Sequence, residues 1–120
     1  MRKSVKCEFF GENQYIYFDI DRLMQFEKLI GCSVFEVASA GRISLSVVLN
    51  GLMVGMQQHY RMKADEWGER MQKAFDAGYS LIDMGGPVFE AVVASGIFGK
   101  PETPEEIDEK KAPERPEATD

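Results

Sequence analysis

The most constraining feature of the sequence is an apolar run at residues 43–56 with two glycines four residues apart, Gly51 and Gly55. Glycines at this spacing let helices pack closely, and in a longer apolar segment they are typical of membrane helices. The run is shorter than the roughly 20 residues needed to cross a bilayer, and Asn50 interrupts it. We therefore predict a packed helix from about residue 45 to residue 60, with a neighbouring element close to both glycines. A surface that another protein covers is the alternative.

Length and charge divide the chain into a domain and a tail. At 120 residues a single domain is expected. Residues 100–120 carry eight acidic side chains, four basic side chains and four of the five prolines. Such a segment buries too little apolar surface to offset the roughly 1–2 kcal/mol per residue of backbone entropy lost on folding. We predict one globular domain at residues 1–99 and a disordered acidic tail at residues 100–120.

Charge and cysteine content narrow the classes of function. The chain has 20 acidic and 14 basic residues, which argues against binding to a nucleic-acid backbone. Its first residues, MRKSVKCEFF, lack the apolar segment of a signal peptide. We therefore expect a cytoplasmic protein without a membrane partner. Cys7 and Cys32 have no C-x-x-C spacing, so we expect two thiols that pack as small apolar side chains.

The N-terminal residues show the pattern of a β-hairpin. Apolar and polar residues alternate from Val5 to Phe9, and β-forming residues follow at 15–18. The residues between them, GEN at 11–13, suit a three-residue turn. A lone hairpin is marginally stable, so one of its faces must pack on another element.

Helix signals follow the hairpin, and the fold class is predicted as α+β, mostly α, with about four helices. The first helix ends at Gly31, the second is the apolar run, and the third is amphipathic and ends at Gly78. The fourth is predicted to start at Pro87, because proline suits a first helical position. The segment VFEVASAG at residues 34–41 fits no single pattern.

No residue pattern points to catalysis. His59 is the only histidine, and no acid or cysteine stands at a spacing that would pair with it as a metal ligand. The segment GIFGKP lacks the glycine spacing and the Ser or Thr of a phosphate-binding loop. We predict a protein that is not an enzyme and that uses no cofactor or metal.

Methionine is abundant, with seven residues, and most of them fall in or beside predicted helices. Flexible methionines fill gaps in a core, and they also line surfaces that repack around varied apolar partners. Both interpretations stay open. If a partner surface exists, we predict that it uses an apolar helix face that includes Met53, Met56, Met71, Phe75 and Phe98.

The order of segments resembles a known family. A short hairpin is followed by DRLMQFEKLIG, then SLSVVLNGLMVGM, then ADEWGERMQKAFDAG, and finally a helix that ends in EAVVASG. This order is similar to that of the tail assembly chaperones of long-tailed bacteriophages, including the related family of gene transfer agents. The resemblance covers roughly residues 5–99, and its best local pieces are FEKLIG and FEAVVASG.

The resemblance implies an assembly factor with no catalytic site. Such chaperones bind the tape measure protein, keep it in solution and help to recruit tail tube subunits. A member of this family would act in the cytoplasm of the infected bacterium, would tend to form homo-oligomers and would be absent from the mature virion.

Two other classes of function remain open. A small acidic regulator or inhibitor of a host protein would use the acidic tail as its binding part. A small enzyme or ligand-binding domain would need a deep pocket with convergent polar groups.

Overall fold

A computed structural model describes residues 4–99 as a short hairpin followed by five helices. The predicted tail at residues 100–120 lies outside the described residues. The elements are β1 Val5–Lys6, β2 Tyr15–Ile16, α1 Ile20–Ile30, α2 Val34–Ala40, α3 Leu45–Gly55, α4 Ala64–Asp76 and α5 Leu81–Ala94. The predicted fold class is confirmed, because the protein is mostly helical with a two-stranded antiparallel hairpin at its N-terminus.

Helix α3 is the centre of the domain and packs against α1, α4 and α5. Both of its glycines meet a neighbour at very short range. A Cβ atom added at Gly51 would lie 2.5 Å from Cγ1 of Val88 in α5. A Cβ at Gly55 would collide in the same way with Cγ2 of Ile16 in β2. The glycine pair therefore lets a helix and a strand of the same chain approach the backbone of α3.

Strand β2 is tied to the end of α3 by its backbone. The amide of Tyr17 donates to the carbonyl oxygen of Gly55 at 2.9 Å, and Phe18 is buried next to that glycine. Helix α3 ends at Gly55, five residues before the predicted end at residue 60. The chain after it turns back towards the hairpin, which ends the helical ladder.

The hairpin is shorter than predicted, and its connection is longer. Val5 pairs with Ile16 and Lys6 with Tyr15, and one more backbone hydrogen bond joins Cys7 to Gln14. The predicted three-residue turn is wrong because the aromatic residues that follow Cys7 leave the strand. The rings of Phe9 and Phe10 instead make edge-to-face contacts with Tyr79 and Trp67, respectively, at centroid distances of 4.8 and 5.2 Å.

The structure adds one helix and moves the start of the last. Residues 34–41, which the sequence left unassigned, contain α2, whose N-terminus is closed by a capping box between Ser33 and Glu36. Helix α5 begins at Leu81, so Pro87 lies inside it, and the predicted start is wrong. Gly86 precedes this proline and has no Cβ to clash with the proline ring, which allows the helix to continue.

We predict that Gly51→Ala lowers the free energy of unfolding by about 1–2 kcal/mol. The gain in helix propensity, about 1 kcal/mol, is outweighed by overpacking against buried Val88. Gly68→Ala in α4 is the matched control, because the nearest atom to its added Cβ is Cδ1 of Leu49 at 3.9 Å. Urea denaturation should show destabilisation by the first change and stabilisation by the second, and equal stabilisation by both would contradict the close approach.

Candidate partner-binding groove

An open apolar groove of about 450 Å³ lies between α3 and α4. We call it the α3/α4 groove. Helix α3 contributes its face opposite the core, and α4 contributes the residues beside its buried stripe. The groove is lined by Leu45, Ser46, Leu49, Asn50, Ala64, Gly68, Met71, Gln72 and Phe75.

Small residues on α4 keep the groove open. Ala64 and Gly68 lie one helical turn apart on the side of α4 that faces the groove. A Cβ added at Gly68 would lie 3.9 Å from Cδ1 of Leu49, so a methyl group fits there but a larger side chain would extend into the groove. Large side chains at these two positions would close the gap between the two helices, so the groove is a consequence of the sequence of α4.

The structure brings only part of the predicted surface together. Met71 and Phe75 both line the α3/α4 groove, but Met71 is 1% exposed and forms its floor. Met56 is fully buried and packs in the core, so it cannot belong to a partner surface in this conformation. Met53 is half-buried and lies one helical turn beyond Leu49 on α3.

Phe98, the fifth predicted residue, does not line the groove. It is 37% exposed and its ring makes an edge-to-face contact with Phe35 of α2 at a centroid distance of 4.9 Å. Ile82 and Val93 of α5 are also well exposed. The molecule therefore has exposed apolar side chains outside the groove as well.

Sequence reasoning missed the α3 side of the groove. Leu45 is 56% exposed and Leu49 is half-buried, although both belong to the apolar run that is predicted to form a packed helix. The available signal was the set of polar residues within that run. Ser46 and Asn50 are four residues apart and share the outward face with the two leucines.

One edge of the groove is acidic. Asp65, Glu69 and Asp76 follow the outer side of α4 at spacings of four and seven residues, in one row with Gln72. Gln72 lines the groove and donates from Nε2 to Oδ1 of Asp76 at 2.9 Å. All three acids are exposed, and no cation within residues 4–99 forms an ion pair with them.

The cations of α4 lie off this row, although exposed Lys73 is four residues after Glu69 and is therefore its neighbour on the helix surface. Arg70 and Lys73 line a smaller depression of about 280 Å³ together with Phe9, Phe10 and Tyr79. The guanidinium of Arg70 lies 4.0 Å from the ring centroid of Tyr60. Among the described residues that line the α3/α4 groove, none is a lysine or arginine.

His59 has a structural role. Its Nε2 accepts a hydrogen bond from the amide of Tyr15 at 3.0 Å, and its ring lies edge-to-face with the ring of Tyr15. Nearby, Tyr60 accepts from Gln14 at 2.6 Å and donates to the carbonyl oxygen of Phe10 at 3.0 Å. These bonds hold the hairpin on the segment between α3 and α4.

The two cysteines differ in accessibility. Cys7 is buried in the core, and burial raises the pKa of its thiol to about 11, so it stays protonated near neutral pH. Cys32 is half-buried in the turn after α1. The expectation of two free thiols agrees with the structure.

We predict that a thiol reagent such as DTNB modifies Cys32 of the native protein at pH 8 well before it modifies Cys7. A cysteine thiolate attacks the disulfide of the reagent and displaces the thionitrobenzoate anion, and the buried Cys7 thiol, whose pKa is raised to about 11, does not supply that thiolate. Both thiols should react in 8 M urea. Cys32→Ser is the control, and rapid labelling of that variant without denaturant would contradict the burial of Cys7.

We further predict that Met56→Ala lowers the free energy of unfolding by about 2–5 kcal/mol, because it leaves a cavity in the core. The same truncation at Met24 of α1, which is 63% exposed, should change stability by less than about 0.5 kcal/mol. Chemical denaturation of both variants checks this difference. A small loss for Met56→Ala would restore that residue as a candidate surface residue.

No helix within residues 4–99 has both the length and the apolarity needed to span a bilayer. In the same part of the chain, no three His, Cys, Asp or Glu side chains are grouped so that they could hold a metal ion. The sequence matches no family model, and neither the curated proteins nor the solved structures contain a significant match.

Proposed function

We propose that the protein is a tail assembly chaperone of a long-tailed bacteriophage. In this role it binds the tape measure protein in the host cytoplasm, keeps it in solution and helps to recruit tail tube subunits. The observation that carries the proposal is the α3/α4 groove, a largely apolar surface between two helices that is open to solvent.

The groove suits a helical client. Its lining combines leucine side chains of α3 with the small residues Ala64 and Gly68 of α4, which allow close approach of a second backbone. Amphipathic helices bind grooves of this kind through apolar residues spaced three and four apart. A long helical protein offers many such segments, and covering them prevents its self-association.

The sequence pattern supports the same role. The succession of a hairpin, an apolar helix with small residues and an amphipathic helix is the pattern on which the resemblance to the tail chaperones rests.

The test is co-expression with the tape measure protein of the same phage. We expect the tape measure protein to be soluble only when this protein is present, and the two to co-sediment. The control is co-expression with an unrelated acidic protein of similar size. A tape measure protein that stays insoluble, or that is soluble without a partner, would contradict the proposal.

Deleting residues 101–120 separates this proposal from the acidic regulator. For a chaperone that uses the α3/α4 groove, we expect the truncated protein to bind the tape measure protein with an affinity within about threefold of the full chain, because exposed charges outside the contact contribute little. Pull-down with the full-length and truncated chains checks this. Loss of all binding on truncation would favour a function carried by the tail.

A further inference from the structure

We propose that the α3/α4 groove selects amphipathic helices whose apolar stripe is flanked by lysine or arginine. This deepens the proposed function and rests on it for the biological client, but the chemistry of the groove defines the partner independently. Two properties carry the inference, namely the dimensions of the groove and the charge along its edge.

The length of the groove corresponds to about three helical turns. Its lining on α4 runs from Ala64 to Phe75, which at a rise of about 1.5 Å per residue is roughly 16 Å. A helix of about 11 residues covers that length. Its apolar residues at positions such as i, i+4, i+7 and i+11 would lie over Leu45, Leu49 and Phe75.

The charge on the edge fits a basic partner. Asp65, Glu69 and Asp76 extend over the same 11-residue length of α4 as the groove lining. Their carboxylates are exposed, and no described cation neutralises them through an ion pair. Ser46 and Asn50 on the opposite edge are uncharged, so no charge across the groove opposes the acidic row.

A second copy of this chain fits the groove poorly. Helix α5 has exposed apolar residues, but its charged side chains are Asp83 and Glu90, which the acidic row would repel. The exposed Ile20 and Met24 of α1 are accompanied by Asp21 and by one exposed cation, Lys28. Neither face offers a row of cations, so the occupant is a different, basic helix.

The test uses two synthetic peptides of 18 residues, each with leucines at the stripe positions and alanines elsewhere. One has lysine at every flanking position, and the other has glutamate. The two residues have similar helix propensities, so the peptides differ mainly in charge. We expect the full-length protein to bind the lysine peptide at least about tenfold more tightly at 50 mM salt, with the difference shrinking at 0.5 M salt as screening increases.

The charge contribution is tested by neutralising the row with Asp65→Asn, Glu69→Gln and Asp76→Asn together. We expect the affinity for the lysine peptide to fall about 3- to 30-fold, as the loss of three exposed ion pairs would produce. The matched control neutralises three exposed acids on other elements, with Glu12→Gln, Asp21→Asn and Glu90→Gln, and changes the net charge equally. The control should change the affinity by less than about twofold.

The groove itself is tested by Gly68→Gln, which places a polar side chain in it at a position where an added Cβ would make only an ordinary van der Waals contact with Leu49. We expect at least about a tenfold loss of affinity for the lysine peptide, since the added amide must be buried on binding. Ala38→Gln on the exposed side of α2 is the control and should bind as wild type. Circular dichroism should show both variants folded.

Several results would overturn the inference. These are equal affinity for the two peptides, binding of neither, equal weakening by the two triple variants, and unchanged binding by Gly68→Gln.

The result of the peptide experiments is distinct from that of the co-expression test. If the lysine peptide binds the groove but the tape measure protein stays insoluble, the inference stands and the proposed client is wrong. If the tape measure protein is solubilised by Gly68→Gln as well as by wild type, the chaperone function stands and the groove is not its site.

Discussion

The contact that the rest of the structure depends on is the close approach of two elements to the backbone of α3. At Gly51 the helix meets Val88 of α5, and at Gly55 it meets Ile16 of β2. A side chain at either position would push its neighbour outwards. Helix α5 also packs directly on both strands of the hairpin, so α3, α5 and the hairpin close one core together.

This arrangement also decides which face of α3 is left free. The side of α3 that carries Gly51 and Gly55 is covered by α1, α5 and the hairpin. Helix α4 lies beside α3 and contributes Trp67 and Met71 to the core. Its small residues Ala64 and Gly68 line the groove beside Leu49. A strongly apolar helix in a domain of this size is thus covered on one side and open on the other. The open side is where a partner gains most from burying apolar surface.

The parts of the fold that local patterns encode could be predicted from the sequence. Two of these patterns are the glycine after α1 and the amphipathic stripe of α4, and both are present in the structure. The four-residue spacing of the α3 glycines is a third pattern, and both glycines contact a neighbouring element as predicted. The start of α5 could not be predicted from Pro87, because that signal competes with the capping box formed by Ser80 and Asp83.

Predicting the candidate site was harder, because exposure is a tertiary property. Met53 lies in α3 and Met56 is the residue that caps its C-terminus, yet Met56 is buried and Met53 is half-buried. Composition marks both as candidates, and only the direction from which neighbours pack distinguishes them. Gly68 gave no sequence signal, since its importance comes from the space that it leaves beside Leu49.

The acidic row on α4 is not explained by the stability of the helix. Asp65 lies in the first turn, where the helix dipole favours an anion. Asp76 is the last residue of the helix, where the dipole disfavours one by about 0.3–1 kcal/mol. Asp65 and Glu69 are like charges four residues apart, which costs about 0.2–0.5 kcal/mol, and the favourable spacing of Glu69 and Lys73 offsets a similar amount. The three acidic side chains are exposed and do not pack in the core, so core packing does not explain why acids occupy these positions beside the groove. A basic helix in the α3/α4 groove would relieve this repulsion, and binding would then gain energy from charges that the free protein holds at a small cost.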